Sequence, residues 1–282
     1  MAPGGCGTLS VVRLLTFHRD GGLRIGLVTP DGVAELAADD LDTLLAMPPA
    51  EVERLAGGER AGEATLRLGP CVPRPGKIIC VGLNYRRHAE EAGMAVPETP
   101  ILFNKFNNSL AASGEDVPLT DVAEQYDYEA ELCVVIGRTA TRVGEARALD
   151  HVWGYCNCND VSARDLQFRT TQWMLGKTLD RFFPMGPHLV SADEVGDPQA
   201  LGIRCLVNGD VRQDSNTADM VFGVAELVSY ISRHMTLEPG DVIATGTPQG
   251  VAQGRADKAW LRPGDEVVVE VGGLGQLRNR MV

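Results

Sequence analysis

The most constraining feature of the sequence is a pair of glutamates placed directly before a short apolar run. The run, Leu132–Ile136, consists of Leu, Cys, two Val and Ile, a composition typical of a buried β-strand. Because side chains alternate along a strand, Glu129 and Glu131 share one face, about 7 Å apart by the strand rise. Two carboxylates this close repel each other unless a cation lies between them. The pattern predicts either a cation site or a solvated strand edge, which is the commoner setting for such a pair.

A third carboxylate follows a second strand-like run, Val152–Asn159. Asp160 ends this run and shares a face with Cys156 and Cys158, whose small side chains leave room for an ion. Three carboxylates would form the all-oxygen site that hard divalent cations prefer. This neighbourhood favours the cation site over the solvated edge, with Asp160 as the third ligand.

Length and charge limit the classes of protein to which the chain can belong. Its 282 residues, 44% of them hydrophobic, are enough for a large core in one or two domains. The formal net charge of −12 argues against nucleic acid or an anionic membrane as a partner, because both attract basic surfaces. Residues 1–6 lack the pattern of a secretory signal, and no apolar run approaches the roughly 18 residues of a membrane span. We therefore expect a cytoplasmic protein.

The seven cysteines are interpreted as reduced core residues. Their number is odd, none belongs to a Cys-Xaa-Xaa-Cys pair, and Cys80, Cys133 and Cys205 lie in apolar strand-like segments. Cys156 and Cys158 are one residue apart, which is not a zinc-site spacing. Packing is therefore favoured over binding of a soft metal.

Residues 1–70 are predicted to form a small N-terminal domain, and residues 71–282 a catalytic domain. The boundary lies in the segment 69–76, which holds three prolines in eight residues and is expected to be a stiff connector. The elements expected before it are a three-stranded meander and two short helices: Leu9–Phe17, Leu23–Val28, Val33–Leu36, Leu41–Met47 and Val52–Leu55.

A candidate proton-transfer pair lies on a short helix predicted at Asn84–Gly93, after the strand Lys77–Leu83. His88 and Glu91 are three residues apart and therefore share a helix face. A carboxylate in this position orients an imidazole and raises its basicity, as a general base requires, although an ordinary exposed pair has the same spacing. The surrounding glycine and prolines suit a mobile flap.

Four further polar residues are candidates for substrate contact. Lys105 ends the predicted strand Ile101–Lys105, and Gln172 lies in the polar segment that leads to Lys177. A lysine beside a metal-bound acid would stay charged and could neutralise substrate oxygens, but a solvated surface lysine is the alternative. Thr247 lies in a loop of small residues that can bring backbone N–H groups and a hydroxyl close to a ligand.

The rest of the chain predicts an α+β fold that is predominantly β. Strands and a hairpin are expected from residue 203, followed by a helix with an apolar face that Asp219 can cap. The expected elements are Ile203–Val207, the turn Asn208-Gly209, Val211–Gln213, a helix over 221–231, a strand from Val242, and Val267–Val271. The chain has no glycine-rich dinucleotide motif, phosphate loop or Gly-Xaa-Ser-Xaa-Gly elbow, so nucleotide and serine-hydrolase chemistry are disfavoured.

From about Lys77 to its end, the chain resembles the fumarylacetoacetate hydrolase family. This family contains acylpyruvate hydrolases, hydratases, isomerases and oxaloacetate decarboxylases. The resemblance is carried by short segments in one order: Ile79–Tyr85 with His88, Asp127–Leu132, Asn159–Asp165, Gly176-Lys177, Ser215–Thr217, Gly240–Ile243 and Thr245–Pro248. Thr178-Leu179 and Asn107-Asn108 depart from the family pattern and are candidates to line the pocket.

The resemblance implies a mixed β-roll, a homodimer and a Mg²⁺ or Mn²⁺ ion held by Glu129, Glu131 and Asp160. It further implies that Lys177 reaches both the substrate and the metal ligands. The remaining implied roles are activation of a water by His88 with Glu91 on a closing lid and contact of Thr247 and Gln172 with the substrate.

The implied activity is cleavage of a C–C bond in a small 2-oxo or β-diketo acid by a metal-dependent hydrolase. A 2-oxo acid can chelate a metal through its carboxylate and keto oxygens, so charge that develops on the keto oxygen is stabilised. The same stabilisation serves an isomerase, a hydratase or an oxaloacetate decarboxylase, and these remain alternatives. A catalytically inactive binding protein is a further alternative, against which the complete set of expected metal ligands and His88 argue.

Overall fold

The chain begins with an antiparallel meander in the computed structural model, which describes residues 12–38 and 40–282. The strands of the meander are β1 (Arg13–Arg19), β2 (Gly22–Thr29), β3 (Gly32–Leu36) and β4 (Ala56–Ala61). The three predicted strands are confirmed, except that Leu9–Val11 lie outside the described residues. The fourth strand, β4, contains Gly57 and Gly58 and was not predicted.

Two short helices connect β3 to β4, as predicted. They are α1 (Leu41–Leu45) and α2 (Pro49–Val52), and α2 continues into a 3₁₀ turn at Glu53–Leu55. The Asp40 carboxylate accepts a hydrogen bond from Thr43 N and so caps α1. Their buried residues, Leu44 and Val52 among them, close one face of the meander.

The remaining elements alternate short helices with strands. The strands are β5 (Leu68–Gly69), β6 (Ile78–Gly82), β7 (Ile101–Lys105), β8 (Leu110–Ala111), β9 (Asp116–Val117), β10 (Tyr126–Asp127), β11 (Ala130–Ile136), β12 (Val152–Asn159), β13 (Ser162–Ala163), β14 (Phe183–Ser191), β15 (Gly202–Val207), β16 (Asp210–Asn216), β17 (Val242–Ala244), β18 (Glu266–Val271) and β19 (Gln276–Met281). The helices are α3 (Arg86–Glu91), α4 (Glu145–Ala148), α5 (Arg164–Gln167), α6 (Met174–Lys177), α7 (Ala192–Val195) and α8 (Val224–His234).

One large mixed sheet has the order β4-β3-β2-β1-β14-β12-β11-β17-β6-β7, and a second has the order β16-β15-β18-β19-β9. β1 pairs with β14, with Arg13 opposite Val190, so the N-terminal meander continues the large sheet past the proline-rich connector. The division into two domains at that connector stays a prediction. The predominance of strands confirms the predicted fold class.

β11 is buried on both faces, which explains its continuous apolar run. Leu132 and Val134 belong to the hydrophobic cluster that includes α8 and the second sheet. Cys133 and Val135 point to the opposite face, into the cluster that includes α1 and α2. A strand held on both sides is a rigid support for the acidic residues at its beginning.

The predicted cap of the long helix is wrong. α8 begins at Val224 after Gly223, and Asp219 lies instead in a 3₁₀ turn, Thr217–Asp219, that the Asn216 side chain caps. The Asp219 carboxylate accepts from Arg87 N in the first turn of α3. The apolar face of α8 is confirmed, since Val224, Val228 and Ile231 are buried.

The cysteines that the structure describes are all buried and free of disulfides, as predicted for reduced core residues. Over residues 12–38 and 40–282, no helix has the length and hydrophobicity required to cross a membrane.

Candidate active site

Antiparallel pairing of β11 with β12 brings the three predicted carboxylates together. Glu131 lies opposite Cys158, and Asp160 N donates to Glu129 O at 2.9 Å just beyond the paired residues. One carboxylate oxygen from each of Glu129, Glu131 and Asp160 lies within 4.8 Å of the others, and all three residues are buried. The solvated-edge interpretation is therefore wrong: this end of the strands is enclosed.

Two cations hold Glu129. Lys177 Nζ donates to Glu129 Oε2 at 2.6 Å and to Asp160 Oδ2 at 2.8 Å, while Arg164 Nη2 donates to Glu129 Oε1 at 2.6 Å. Burial by itself raises the pKa of the Glu129 carboxyl, but Arg164 and Lys177 outweigh it and lower the pKa to about 2. Glu129 is therefore ionised, and Lys177 is not a solvated surface lysine.

Glu131 is held differently. Its Oε2 accepts from Gly246 N at 2.8 Å, and within the described part of the chain no Lys or Arg forms an ion pair with it. Burial, together with the charges of Asp160 and Glu129, raises the pKa of its carboxyl. A buried acid that faces two other acids and has no cation of its own fits a divalent ion, and three carboxylates suit hard cations such as Mg²⁺ or Mn²⁺.

Lys105 lies behind the carboxylates and not on the cavity wall. Its ammonium forms an ion pair with Asp160, 2.7 Å from Oδ1, and donates hydrogen bonds to the carbonyls of Val161 at 3.0 Å, Phe182 at 2.7 Å and Lys177. Its side chain is fully buried. The substrate contact expected of Lys105 is not what this placement offers: the ammonium orients Asp160 and joins it to the end of α6.

A cavity of about 340 Å³ opens above the carboxylates. The predicted residues that line it are Glu129, Glu131, Lys177, His88, Glu91 and Thr247. The structure thus places the acidic residues of β11, the helix α3 and the loop after β17 around one space.

His88 and Glu91 face this cavity from α3. His88 Nδ1 is buried, accepts or donates no hydrogen bond within the described residues, and lies 3.5 Å from Glu91 Oε2. The Glu91 carboxylate accepts from Gly250 N at 3.0 and 3.1 Å. Glu91 therefore joins α3 to the loop after β17 and lies beside the imidazole, and the proton-transfer role of the pair stays a prediction.

The hydroxyl of Thr247 is already engaged. It donates to Ala130 O at 3.0 Å and accepts from Gln213 Nε2 at 2.8 Å. These bonds fix the loop after β17 to β11 and to β16. One lone pair of the hydroxyl remains for a ligand.

Gln172 is exposed and is absent from the cavity wall, because the chain turns to the surface after α5. Gln167 and Trp173 line the cavity in its place. Gln167 Oε1 accepts from Arg164 Nη1 at 2.9 Å. Asn108 and Thr178, two residues that depart from the family pattern, contact each other: Asn108 Nδ2 donates to Thr178 O at 3.0 Å. Neither residue lines the cavity.

Sequence reasoning assigned no role to Arg164 or Asp127, yet both build the site. Arg164 Nε donates to Asp127 Oδ2 at 2.8 Å, so one guanidinium joins Asp127, Glu129 and Gln167. Asp127 also accepts from Ala252 N at 2.7 Å and Gln253 N at 3.0 Å. The signal for Arg164 and Gln167 was available, since residues three apart at the start of a helix share a face.

Comparison with known proteins gives the class to which this fold and site belong. Residues 77–282 match the family model described as fumarylacetoacetate (FAA) hydrolase C-terminal. The chain is 46% identical over 213 residues to a mitochondrial oxaloacetate tautomerase of Xenopus laevis, covering 75% of this chain and 67% of that protein.

Solved structures extend the likeness to nearly the whole chain. A fumarylacetoacetate hydrolase of Exiguobacterium antarcticum is 35% identical with a TM-score of 0.86, covering 96% of this chain and 99% of that one. A 5-carboxymethyl-2-hydroxymuconate delta-isomerase of Mycobacterium smegmatis is also 35% identical, with a TM-score of 0.81 and the same coverage. The chain belongs to the fumarylacetoacetate hydrolase family, whose members include hydrolases, isomerases and tautomerases.

Proposed function

We propose that the protein is a divalent-metal-dependent hydrolase that cleaves a C–C bond in a small 2-oxo or β-diketo acid. The observation that carries the proposal is that Glu129 and Glu131, which form one buried cluster with Asp160, line the same cavity as His88. A carboxylate cluster alone would be compatible with simple metal binding, and a His–Glu pair alone would not indicate a particular reaction. Together they combine a place for an electrophilic cation with a group able to move a proton.

The ion would be Mg²⁺ or Mn²⁺, held by Glu129, Glu131 and Asp160. When bound, such an ion supplies Lewis acidity that stabilises negative charge on an oxygen of the substrate. Lys177, which bridges Glu129 and Asp160, adds a fixed positive charge on the same wall of the cavity. Arg164 keeps Glu129 ionised and in place.

His88 would accept the proton of the attacking water and later return it to the carbon of the leaving group. Glu91 would orient the imidazole through Nδ1, which lies 3.5 Å from Glu91 Oε2, and catalytic hydrogen bonds that are long without substrate commonly tighten when it binds. Phe103 and Trp173, with ring centroids 5.4 Å apart, cover another wall and limit the access of other waters.

Tautomerisation of oxaloacetate is the second candidate, and the tautomerase of Xenopus laevis favours it. This reaction needs proton transfer at the carbon next to the keto group and no attacking water. The same His88 could perform that transfer. Isomerisation and decarboxylation require the same acidic centre as tautomerisation. The carboxylates alone therefore do not distinguish these reactions.

A panel of substrates separates these candidates. Acylpyruvates, fumarylacetoacetate and oxaloacetate would be offered to the protein with Mg²⁺ or Mn²⁺, and the products identified by NMR. We expect hydrolysis of an acylpyruvate to give pyruvate and a second carboxylic acid. Exhaustive chelation of the metal should abolish all turnover. Tautomer exchange without C–C cleavage would support the second candidate. Turnover that survives chelation would contradict both.

We further propose a homodimer. Among residues 12–38 and 40–282, the order of the large sheet leaves β4 and β7 with one paired side each, and unpaired edges of this kind are commonly covered by association. Light scattering at micromolar concentration should therefore give about twice the 30.3 kDa of one chain. A mass close to that of one chain would contradict the proposal.

A further inference from the structure

The cavity contains one cation that its carboxylates do not use. Three cationic side chains line it, and two of them, Arg164 and Lys177, are bonded to the acids below. The third, Lys258, has no carboxylate within 4.0 Å in the described part of the chain, and its ammonium donates to the Gln253 carbonyl. Lys258 is therefore available to an anion that enters the cavity.

The acid next to Lys258 does not neutralise it, because that acid is occupied. Arg255 Nε and Nη2 donate to the two carboxylate oxygens of Asp257 at 3.0 and 2.8 Å. This two-point pairing holds Asp257 with Arg255 and keeps its charge away from the next residue. In this loop, the charges of Arg255 and Asp257 are paired with each other, and Lys258 is left without a carboxylate partner among the described residues.

Lys258 is one of six described non-glycine residues with a positive φ. Its φ of 44° lies in the left-handed region, which lysine adopts rarely. Trp260 N donates to Lys258 O at 2.7 Å and fixes the turn. The turn fixes the backbone from which the Lys258 side chain extends, and Lys258 lines the cavity.

The loop that carries Lys258 is tied to the acidic centre. Gln253 lines the cavity, and its backbone N–H donates to Asp127 at 3.0 Å. Asp127 is in turn bonded to Arg164, which also holds Glu129. The free ammonium is thus positioned relative to the carboxylates by a continuous chain of bonds.

We propose that Lys258, assisted by the side-chain amide of Gln253, binds a second carboxylate of the substrate. The inference rests on the proposed function, in which the 2-oxo acid end lies at Glu129, Glu131 and Asp160. The other end of the substrate then extends toward the rest of the cavity, where a carboxylate pairs with Lys258 and an alkyl group does not. The preferred substrates are accordingly dicarboxylic 2-oxo acids.

Binding measurements with matched ligands test this. 2-Oxoglutarate and 2-oxovalerate have the same number of carbons and differ in the terminal carboxylate. Isothermal titration of the Mg²⁺-loaded protein should give at least about tenfold tighter binding of 2-oxoglutarate, the worth of one charge-assisted hydrogen bond. Lys258→Gln should remove this preference and leave 2-oxovalerate binding unchanged, while Lys258→Arg should retain it.

Arg262→Gln is the control for charge. Arg262 is exposed, lies four residues after Lys258 and is absent from the cavity wall. Arg262→Gln removes the same charge as Lys258→Gln, so the preference for 2-oxoglutarate should survive it. Oxaloacetate and 2-oxobutyrate form a second matched pair, for which KM can be compared in the same variants where turnover is measured. Thermal unfolding confirms that each variant is folded.

Three results would overturn the subsite: equal wild-type affinity for the two ligands, a preference that survives Lys258→Gln, or no binding of either ligand. Tighter binding of 2-oxovalerate would also overturn it and would assign selectivity to the exposed apolar side chains of Met94 and Phe168, which line the same cavity. A Lys258-dependent preference without turnover of any 2-oxo acid would overturn the proposed function alone. Turnover without that dependence would overturn the subsite alone.

Discussion

The two ends of the cavity are built in opposite ways. The acidic floor, which consists of Glu129, Glu131, Asp160, Arg164 and Lys177, is at most 5% exposed at any residue. The rim, which consists of α3 and residues 247–260, holds His88 and Glu91 with 13% and 20% of their side chains exposed. Each floor residue except Glu131 has two oppositely charged partners, whereas His88 has a single neighbour at 3.5 Å.

This difference separates binding from proton transfer. The floor is fixed by two strands buried in a sheet, so its charges need no rearrangement when a ligand arrives. The rim loop is tied to the floor through Thr247, Ala252 and Gln253, but the His88 Nδ1 has no hydrogen bond within the described residues, so its imidazole can move by small amounts at low cost. Substitutions in the floor should therefore change metal binding and stability, and substitutions in the rim should change rates.

The largest effect is expected inside the floor, from two matched substitutions of neighbouring acids. Glu131→Gln should reduce metal affinity and activity by at least about 10²-fold, since even residues behind a metal ligand are worth 10–100-fold. It should leave the metal-free protein at least as stable as wild type, because one of three repelling carboxylates loses its charge. Glu129→Gln leaves Arg164 and Lys177 with a missing partner and should cost about 3 kcal/mol.

Urea unfolding of the chelator-treated proteins measures this contrast. The control is wild-type protein treated in the same way, with and without Mg²⁺. Equal destabilisation by the two substitutions would show that Glu131 is a structural residue, and unchanged metal affinity in Glu131→Gln would remove it from the metal site.

The sequence predicts the floor better than its supports, for a physical reason. The carboxylates are placed by strand alternation, which is local and can be read from residue spacing. Lys105 was expected at the substrate, because spacing does not show where a long side chain ends. Its ammonium is satisfied by carbonyls 56, 72 and 77 residues away in the chain, and such contacts depend on tertiary packing.

Similar limits explain the other differences. The sequence around Gln172 does not show that the chain has already turned to the surface after α5. Gln172 was therefore expected in the cavity, where the structure has Gln167 instead. Asp219 has the residue type of a helix cap, but it serves α3 through Arg87 N and not α8. In both cases the residue type was informative, and its partner could be identified only from the fold.

The next largest effect is expected in the rim. His88→Ala should lower the hydrolytic rate by roughly 10²–10⁴-fold, the usual worth of a positioned general base, and leave metal and substrate affinity nearly intact. Single-turnover kinetics together with metal titration measures the two quantities separately. Decarboxylation of oxaloacetate needs no attacking water, so any such activity should respond differently. A loss of metal affinity as large as the loss of rate would place His88 in the floor.

The smallest effect tests whether the rim is positioned by close packing. A Cβ at Gly254 would lie 2.2 Å from Glu91 Cδ and 2.4 Å from its Oε2, so Gly254→Ala must displace the carboxylate that holds α3 to Gly250 N. We expect a fall in rate of about tenfold, less than removal of the base, because a displaced group still functions in part. Metal affinity should not change.

Two further variants make this prediction specific to the contact between Gly254 and Glu91. Gly144→Ala is the control, since a Cβ there meets no atom within 4 Å and the backbone is not in the left-handed region. Glu91→Asp combined with Gly254→Ala shortens the displaced side chain by one methylene and should recover part of the rate relative to Gly254→Ala. Full activity of Gly254→Ala would show that the rim adapts freely. Loss of metal affinity in the same variant would show that the floor and the rim are mechanically coupled, and the separation of binding from proton transfer would then fail.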